Sequence, residues 1–227
     1  MAIPLSRLKP FVFAARWPYQ AADFVRSDES SDARFYAFPR FVNHIDDEAI
    51  RRLTDYYRQS IPQDSNVLDI ASSWVSHLPT NVKYASVIGL GLNNEELAAN
   101  SLLTKTIVQD LNKDTKLPLE DASVDHVICN VSIDYLTKPR EVCLEAGRVL
   151  RPGGVLHLAI SNRCFPTKVV GRWLKLSEEE RRQMVADYLH FTAGEDGTPK
   201  VFKDIASIEL ADGRGSDPIH IVRGTRI

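Results

Sequence analysis

The sequence predicts an α/β fold: a doubly wound, mainly parallel sheet closed by a C-terminal antiparallel hairpin. Three observations point there. Short continuous apolar runs recur along the chain, amphipathic helical stretches separate most of them, and the last two extended stretches are joined by a polar turn. Continuous apolar strands are the mark of a sheet buried on both faces, and the alternation with helices makes it parallel.

Asp46-Asp47-Glu48 opens a helix, with Asp46 as cap and an acidic first turn facing the positive end of the dipole. Ile50, Leu53 and Tyr57 recur at helical spacing, and Pro62 ends the stretch. Asn66 to Ala71 reads as a buried strand and Ala85 to Leu90 as the next. Between them, Ser72 to Pro79 has room for a short helix only. Asn93 or Asn94 can cap a helix through Glu95, Glu96 and Leu97, and a brief strand follows at Thr106-Ile107-Val108. The strongest strands are Asp125 to Asn130 and Gly154 to Ile160. The helix between them starts at Pro139, whose missing N–H costs nothing at a first helical position, and presents Val142, Ala146, Val149 and Leu150. Arg151-Pro152-Gly153-Gly154 stops it. Ser177 to Glu180 is a capping box before a stripe of Met184, Val185, Tyr188 and Leu189. Lys200–Leu210 and Pro218–Arg226 then form the hairpin around Asp212-Gly213-Arg214-Gly215.

The chain has 227 residues, 44% hydrophobic and 26% charged, which excludes a mostly disordered polymer. A formal net charge of −2 gives no electrostatic reason to expect nucleic acid or an anionic membrane as partner. No apolar run approaches the roughly 18 residues that span a bilayer, so a soluble protein is expected. Three scattered cysteines fit neither a disulfide framework nor a zinc site and suit a reducing compartment. Residues 1–22 carry Arg7, Lys9 and Arg16 and no acid. That pattern leaves two readings: an extended arm on a cytoplasmic protein, or a transit segment to mitochondrion or plastid. The expected division is an N-terminal arm or lid over 1–45 and one domain over 46–227.

In an open parallel sheet the ligand sits beyond the carboxyl ends of the strands, here Asp69, Gly89, Asp110 and Asn130. Val67-Leu68-Asp69, Val87-Ile88-Gly89, Val108-Gln109-Asp110-Leu111, the approach Leu117 to Asp125 and the turn Leu150 to Gly154 occur in that order. Together they resemble the class I S-adenosylmethionine-dependent methyltransferases of the type 11 kind, a Rossmann-like family, over roughly residues 46–162 and the closing hairpin. The resemblance implies S-adenosylmethionine as cofactor. It implies a cofactor site built from Asp69, Ala71, Ser72, Ser73, Gly89, Asn93, Asp110, Leu111, Asn130 and Ser132. Two features depart from the family. The glycine-rich loop after the first strand is Ala71-Ser72-Ser73-Trp74, where any position needing positive φ would be strained. The acid expected near Gly91 to grip the ribose is absent, leaving the neutral Asn93 or Asn94.

The functional expectation is therefore methyl transfer to a small-molecule acceptor. The alternative is a methyltransferase fold kept as a binding or scaffold protein without catalysis. A nicotinamide-dependent oxidoreductase would share the sheet but needs G-x-G-x-x-G after the first strand, which is missing. Transfer from a sulfonium needs neither metal nor covalent intermediate, only positioning and exclusion of water, with a base if the acceptor is a hydroxyl. His44 and Tyr135 are the candidate bases. Arg40, Asn162 and Arg163, on the aromatic stretch before the first helix and the loop leaving the fifth strand, are the candidate substrate residues. Several residues keep a second reading: Asp110 as a turn cap, Asn130 and Ser132 as routine loop bonds, Trp74 as core, and His77 as an exposed or capped histidine. Oligomeric state is not visible in the sequence.

Overall fold

The computed structural model describes residues 8–196 and 200–227. The apolar runs pair edge to edge into one eight-stranded sheet. In chain order the strands are β1 (Lys9–Pro10), β2 (Asn66–Ile70), β3 (Ser86–Gly91), β4 (Lys105–Val108), β5 (Val124–Asn130), β6 (Leu150–Ile160), β7 (Phe202–Ala211) and β8 (Ile219–Arg226). In space they run β1-β7-β8-β6-β5-β2-β3-β4. Strands β2 to β6 pair in parallel, while β8 runs antiparallel between β6 and β7. The chain winds outward from β2 to β4, then returns to place β5 on the other side of β2. That reversal is the switch point at which such sheets bind ligands.

The helices are α1 (Asp32–Phe35), α2 (Asp47–Ser60), α3 (Asn94–Ala99), α4 (Pro139–Val149) and α5 (Glu178–His190). Successive strand residues face opposite sides, so the sheet carries two cores. Val67, Val87, Ile128, Ala159 and Ile221 pack with Leu53, Tyr56 and Tyr57 of α2. Leu68, Ile70, Val127, Cys129, Leu156 and Leu158 pack with Val142 and Ala146 of α4 and Met184, Val185 and Tyr188 of α5. The helix starts match their sequence signals. Asp46 accepts the Ala49 N–H at 2.8 Å, Pro139 opens α4, and Ser177 and Glu180 form a reciprocal capping box. Among the described residues no helix is long and apolar enough to cross a membrane.

Two local expectations are corrected. The turn Arg151 to Gly154 does not precede β6 but lies within it, since β6 begins at Leu150. No helix forms between β2 and β3. Side chains satisfy that loop instead: Ser72 and Ser76 donate to Asp69, and Asn100 Nδ2 donates to Ser73 O and Ser76 Oγ. With these bonds made, the stretch needs no helical ladder.

The segment from residue 8 to 45 lies against the domain. Trp17 stacks edge-on to Phe191 with centroids 5.8 Å apart, under the Arg140 guanidinium, and Tyr19 donates to Asp187 at 2.8 Å. Residues 1–7, which carry part of the basic N-terminal pattern, lie outside the described residues. Further along, a buried ion cluster fastens the arm. Arg26 Nη1 donates to both oxygens of Asp32 at 2.9 and 2.8 Å. Lys168, fully buried, lies 3.3 Å from Asp32 and donates to Ser30 O at 2.6 Å. Asn112 Nδ2, after β4, donates to Asp32 at 2.9 Å. Removing one partner of a buried ion cluster strands the others in low dielectric. Asp32→Asn should therefore lose about 3–5 kcal/mol in denaturant unfolding; a loss below about 1 kcal/mol, the scale of an exposed pair, would contradict the clamp.

Candidate active site

A cavity of about 650 Å³ opens at the carboxyl ends of β2 to β6. Its walls come from the loops after those strands, and the arm covers it with Tyr36, Arg40, Val42 and His44. Asp69, Ala71, Ser72, Ser73, Asn93, Asp110, Leu111, Asn130, Ser132, Tyr135, Asn162 and Arg163 all line it, as do Arg40 and His44. Gly89 is the exception. A Cβ there would lie 2.4 Å from a Leu103 methyl, so this glycine makes room for Leu103 against β3, and it does not line the cavity.

The loop after β2 keeps a glycine-type backbone without glycine. Ala71 has φ +52°, His77 +55° and Val131, after β5, +42°, and all three line the cavity. Left-handed φ is costly for any side chain and most for a β-branched one, at roughly 1–3 kcal/mol each. Asp69 holds the loop in place. It is 1% exposed and accepts from Ser72 Oγ at 2.7 Å and Ser76 Oγ at 2.6 Å, with burial raising its pKa to about 7.

Several side chains are committed to the scaffold. Asn93 Oδ1 caps α3 through the Glu95 and Glu96 N–H groups, and its Nδ2 donates to Tyr36 O at 2.9 Å, so its amide ties the arm to α3. Asp110 caps its own turn through the Asn112 N–H at 3.0 Å. Asn130 accepts from Tyr57 at 2.6 Å and donates to Ser76 O at 3.1 Å, while Ser132 donates to Asn130 O at 2.8 Å. Tyr135 is a poor base: its oxygen accepts the Phe165 N–H at 2.8 Å, and burial pushes its pKa far up. Arg163 sits exposed on the rim, 3.8 Å from Asp217, and Asn162 beside it is also exposed. Arg40 stands over the rings of Phe35, Phe165 and Tyr36, at 4.6, 5.4 and 5.6 Å to the centroids, and donates to Phe35 O. It makes no carboxylate pair among the described residues.

Two residues gain importance from the structure. His77 is buried, not exposed; desolvation and the nearby His44 lower its pKa to about 4, so it is neutral at pH 7. Glu96 is the carboxylate that reaches the cavity from α3, accepting from Ser73 Oγ at 2.5 Å and from the Arg40 N–H at 2.7 Å. In the sequence it reads only as part of the helix that Asn93 or Asn94 caps; the contacts lie 23 and 56 positions away. His44 lies on the rim, edge-on to Phe165 at 5.4 Å, with desolvation holding its pKa below the usual histidine value.

Residues 68–158 match the family described as a methyltransferase domain. Comparison with curated proteins gives no match. Solved structures share the fold. A structure of the Haloferax volcanii Trm112 methyltransferase activator in complex with a methyltransferase aligns with TM-score 0.55 at 16% identity, covering 79% of this chain and 89% of that one. An S-adenosylmethionine-dependent methyltransferase from Aquifex aeolicus gives 0.52 at 16% over 80% and 95%, and one from Listeria monocytogenes 0.53 at 11% over 80% and 100%. The chain has the fold of the class I S-adenosylmethionine-dependent methyltransferases, and its segment 68–158 is similar to that methyltransferase domain family. The cofactor this implies is S-adenosylmethionine.

The residues present fit that cofactor with one grip changed. Ala71 retains the backbone bend of the glycine loop, and the cavity has the volume of a small-molecule site. The ribose acid is another matter. A Cβ on Gly91 would lie 2.1 Å from the Ser72 carbonyl oxygen, so the loop occupies the space where an acidic side chain would start. Gly91→Asp should therefore not tighten S-adenosylhomocysteine binding. It should weaken binding and destabilise the fold by about 1–3 kcal/mol through overpacking; tighter binding in calorimetry would contradict this placement of Ser72.

A pH effect follows from Asp69 and from Asp134, both buried and both raised from 3.8 to about 7. Between these values each of the two holds a proton in the folded chain that it has lost in the unfolded one, so their contribution to stability fades as pH rises from about 4 to 7. The buried His77, His126 and His157, whose pKa values burial lowers, contribute in the opposite sense. Asp69→Asn should remove its share, so that the slope of stability against pH between 4 and 7 is more positive in the variant than in the native chain; an unchanged slope would contradict the buried, hydroxyl-bonded carboxyl.

Proposed function

We propose that this chain transfers a methyl group from S-adenosylmethionine to a small-molecule acceptor held in the cavity. The observation that carries this reading is the covering of the strand ends by the arm. Tyr36, Arg40 and His44 lie over a space of about 650 Å³, within the range of small-molecule sites, where a macromolecular acceptor would call for an open face. Bound S-adenosylmethionine supplies a methyl group on a positively charged sulfur that leaves as a neutral thioether, so the transfer is a direct displacement. The chain's part is to orient and enclose. The loop 71–77 and the turn 109–112 form the cofactor wall, the arm excludes water, and His44 takes the proton when the acceptor is a hydroxyl.

His44 suits this task because its lowered pKa leaves it unprotonated at neutral pH while it still touches the mouth of the cavity. His44→Ala should cut turnover by about 10²- to 10⁴-fold with S-adenosylhomocysteine affinity unchanged, and the acidic limb of the native pH–rate profile should lie below pH 6.5. Full turnover in the variant would remove His44 from the chemistry. The reading as a whole is tested by calorimetry with S-adenosylmethionine and S-adenosylhomocysteine, followed by a screen of metabolite extracts with radiolabelled methyl donor. Binding with label transfer supports it. Absence of binding at millimolar concentration would favour the scaffold reading, which the Ser72 carbonyl in the ribose-acid position also favours.

A further inference from the structure

We propose that the acceptor carries an extended apolar portion, its reacting end inside the cavity and its apolar part laid across the mouth. The inference rests on the acceptor reading above and concerns the same site. Val42 and Leu174 both line the cavity and are both about half exposed, at 54% and 49%. Trp74 also lines it, donating from Nε1 to Val42 O at 3.2 Å, and Phe41 stands edge-on to Trp74 with centroids 6.3 Å apart. Phe41 is 52% exposed, and Phe38, on the same arm, 81%.

Single exposed apolar residues are ordinary on any surface. A cluster that rims a cavity marks a binding surface. This rim is assembled from three separate parts of the chain: the arm, the loop after β2, and the turn Trp173–Lys175 before α5. Val42, Trp74 and Leu174 belong to the cavity wall, and Phe41 extends that apolar surface outward from Trp74, so a ligand filling the cavity is led onto them. A protein seated on the rim would instead block the mouth through which the acceptor enters. The occupant that satisfies both surfaces at once is one molecule with a polar end and an apolar extension.

The test is calorimetry of two series, n-alkyl carboxylates and n-alkyl amines from four to ten carbons, with and without saturating S-adenosylhomocysteine. Two head charges separate the effect of the tail from that of the head. Affinity should rise about three- to fourfold per methylene over the longer members. In the Phe41→Asn/Leu174→Asn double variant, and separately in Val42→Thr, that rise should flatten while the melting temperature and the affinity for the four-carbon members stay near native. All three positions are surface-exposed, so folding is not at issue. No dependence on chain length, or the same rise in both variants, would overturn the proposal. Persistence of the rise with no S-adenosylhomocysteine binding would leave the apolar site standing and remove the methyl-transfer reading alone.

Discussion

A single buried carboxylate joins three parts of the chain at the edge of the cavity. Asp32 of the arm pairs with Arg26 beside it, with Lys168 from the stretch after β6, and with Asn112 after β4. A buried ion cluster of this kind is weak evidence for stability, since desolvation offsets much of the attraction. Its effect is to fix position. Two cations and an amide converge on one carboxylate, and an arm in another register would leave Lys168 buried without its arm partners at a cost of several kcal/mol. The placement of Tyr36, Arg40 and His44 over the strand ends follows from this clamp and from the bonds of Asn93 and Glu96 to the arm backbone.

Beneath the arm, the loop after β2 holds strain that a glycine would have avoided. Ala71 and His77 are both left-handed, and the polar web around Asp69, Ser76, Asn100 and Glu96 keeps them so. Strained non-glycine backbone persists only where its surroundings over-determine it, as the bonds around Asp69 do here. The loop after β2 and the strand end at Gly91 are coupled through one close approach. The Ser72 carbonyl sits where the side chain of residue 91 would begin, and Gly91 permits it.

Much of the fold was legible in the sequence because its signals are local. Apolar runs gave β2, β3, β5 and β6; Asp46, Pro139 and Ser177 marked helix starts; the ordered strand ends located the cavity. The errors came from contacts distant in sequence. The βαβ rhythm suggested a helix over 72–79, but Asn100 and Glu96 supply the loop's partners from α3 and its C-terminal end. Gly89 looked like a site glycine by position, while its real neighbour is Leu103. His77 reads as an exposed or capped histidine because a single residue gives no sign of burial. Asp32 carried no signal at all, since one partner lies 80 positions away.

Amide hydrogen exchange with and without S-adenosylhomocysteine tests most directly whether the clamped arm closes over a cofactor at the strand ends. Closure predicts that one equivalent of ligand slows exchange together in residues 32–44, 71–77 and 109–112, leaving β7 and β8 unchanged. Protection confined to the loops, with the arm exchanging as before, would contradict it.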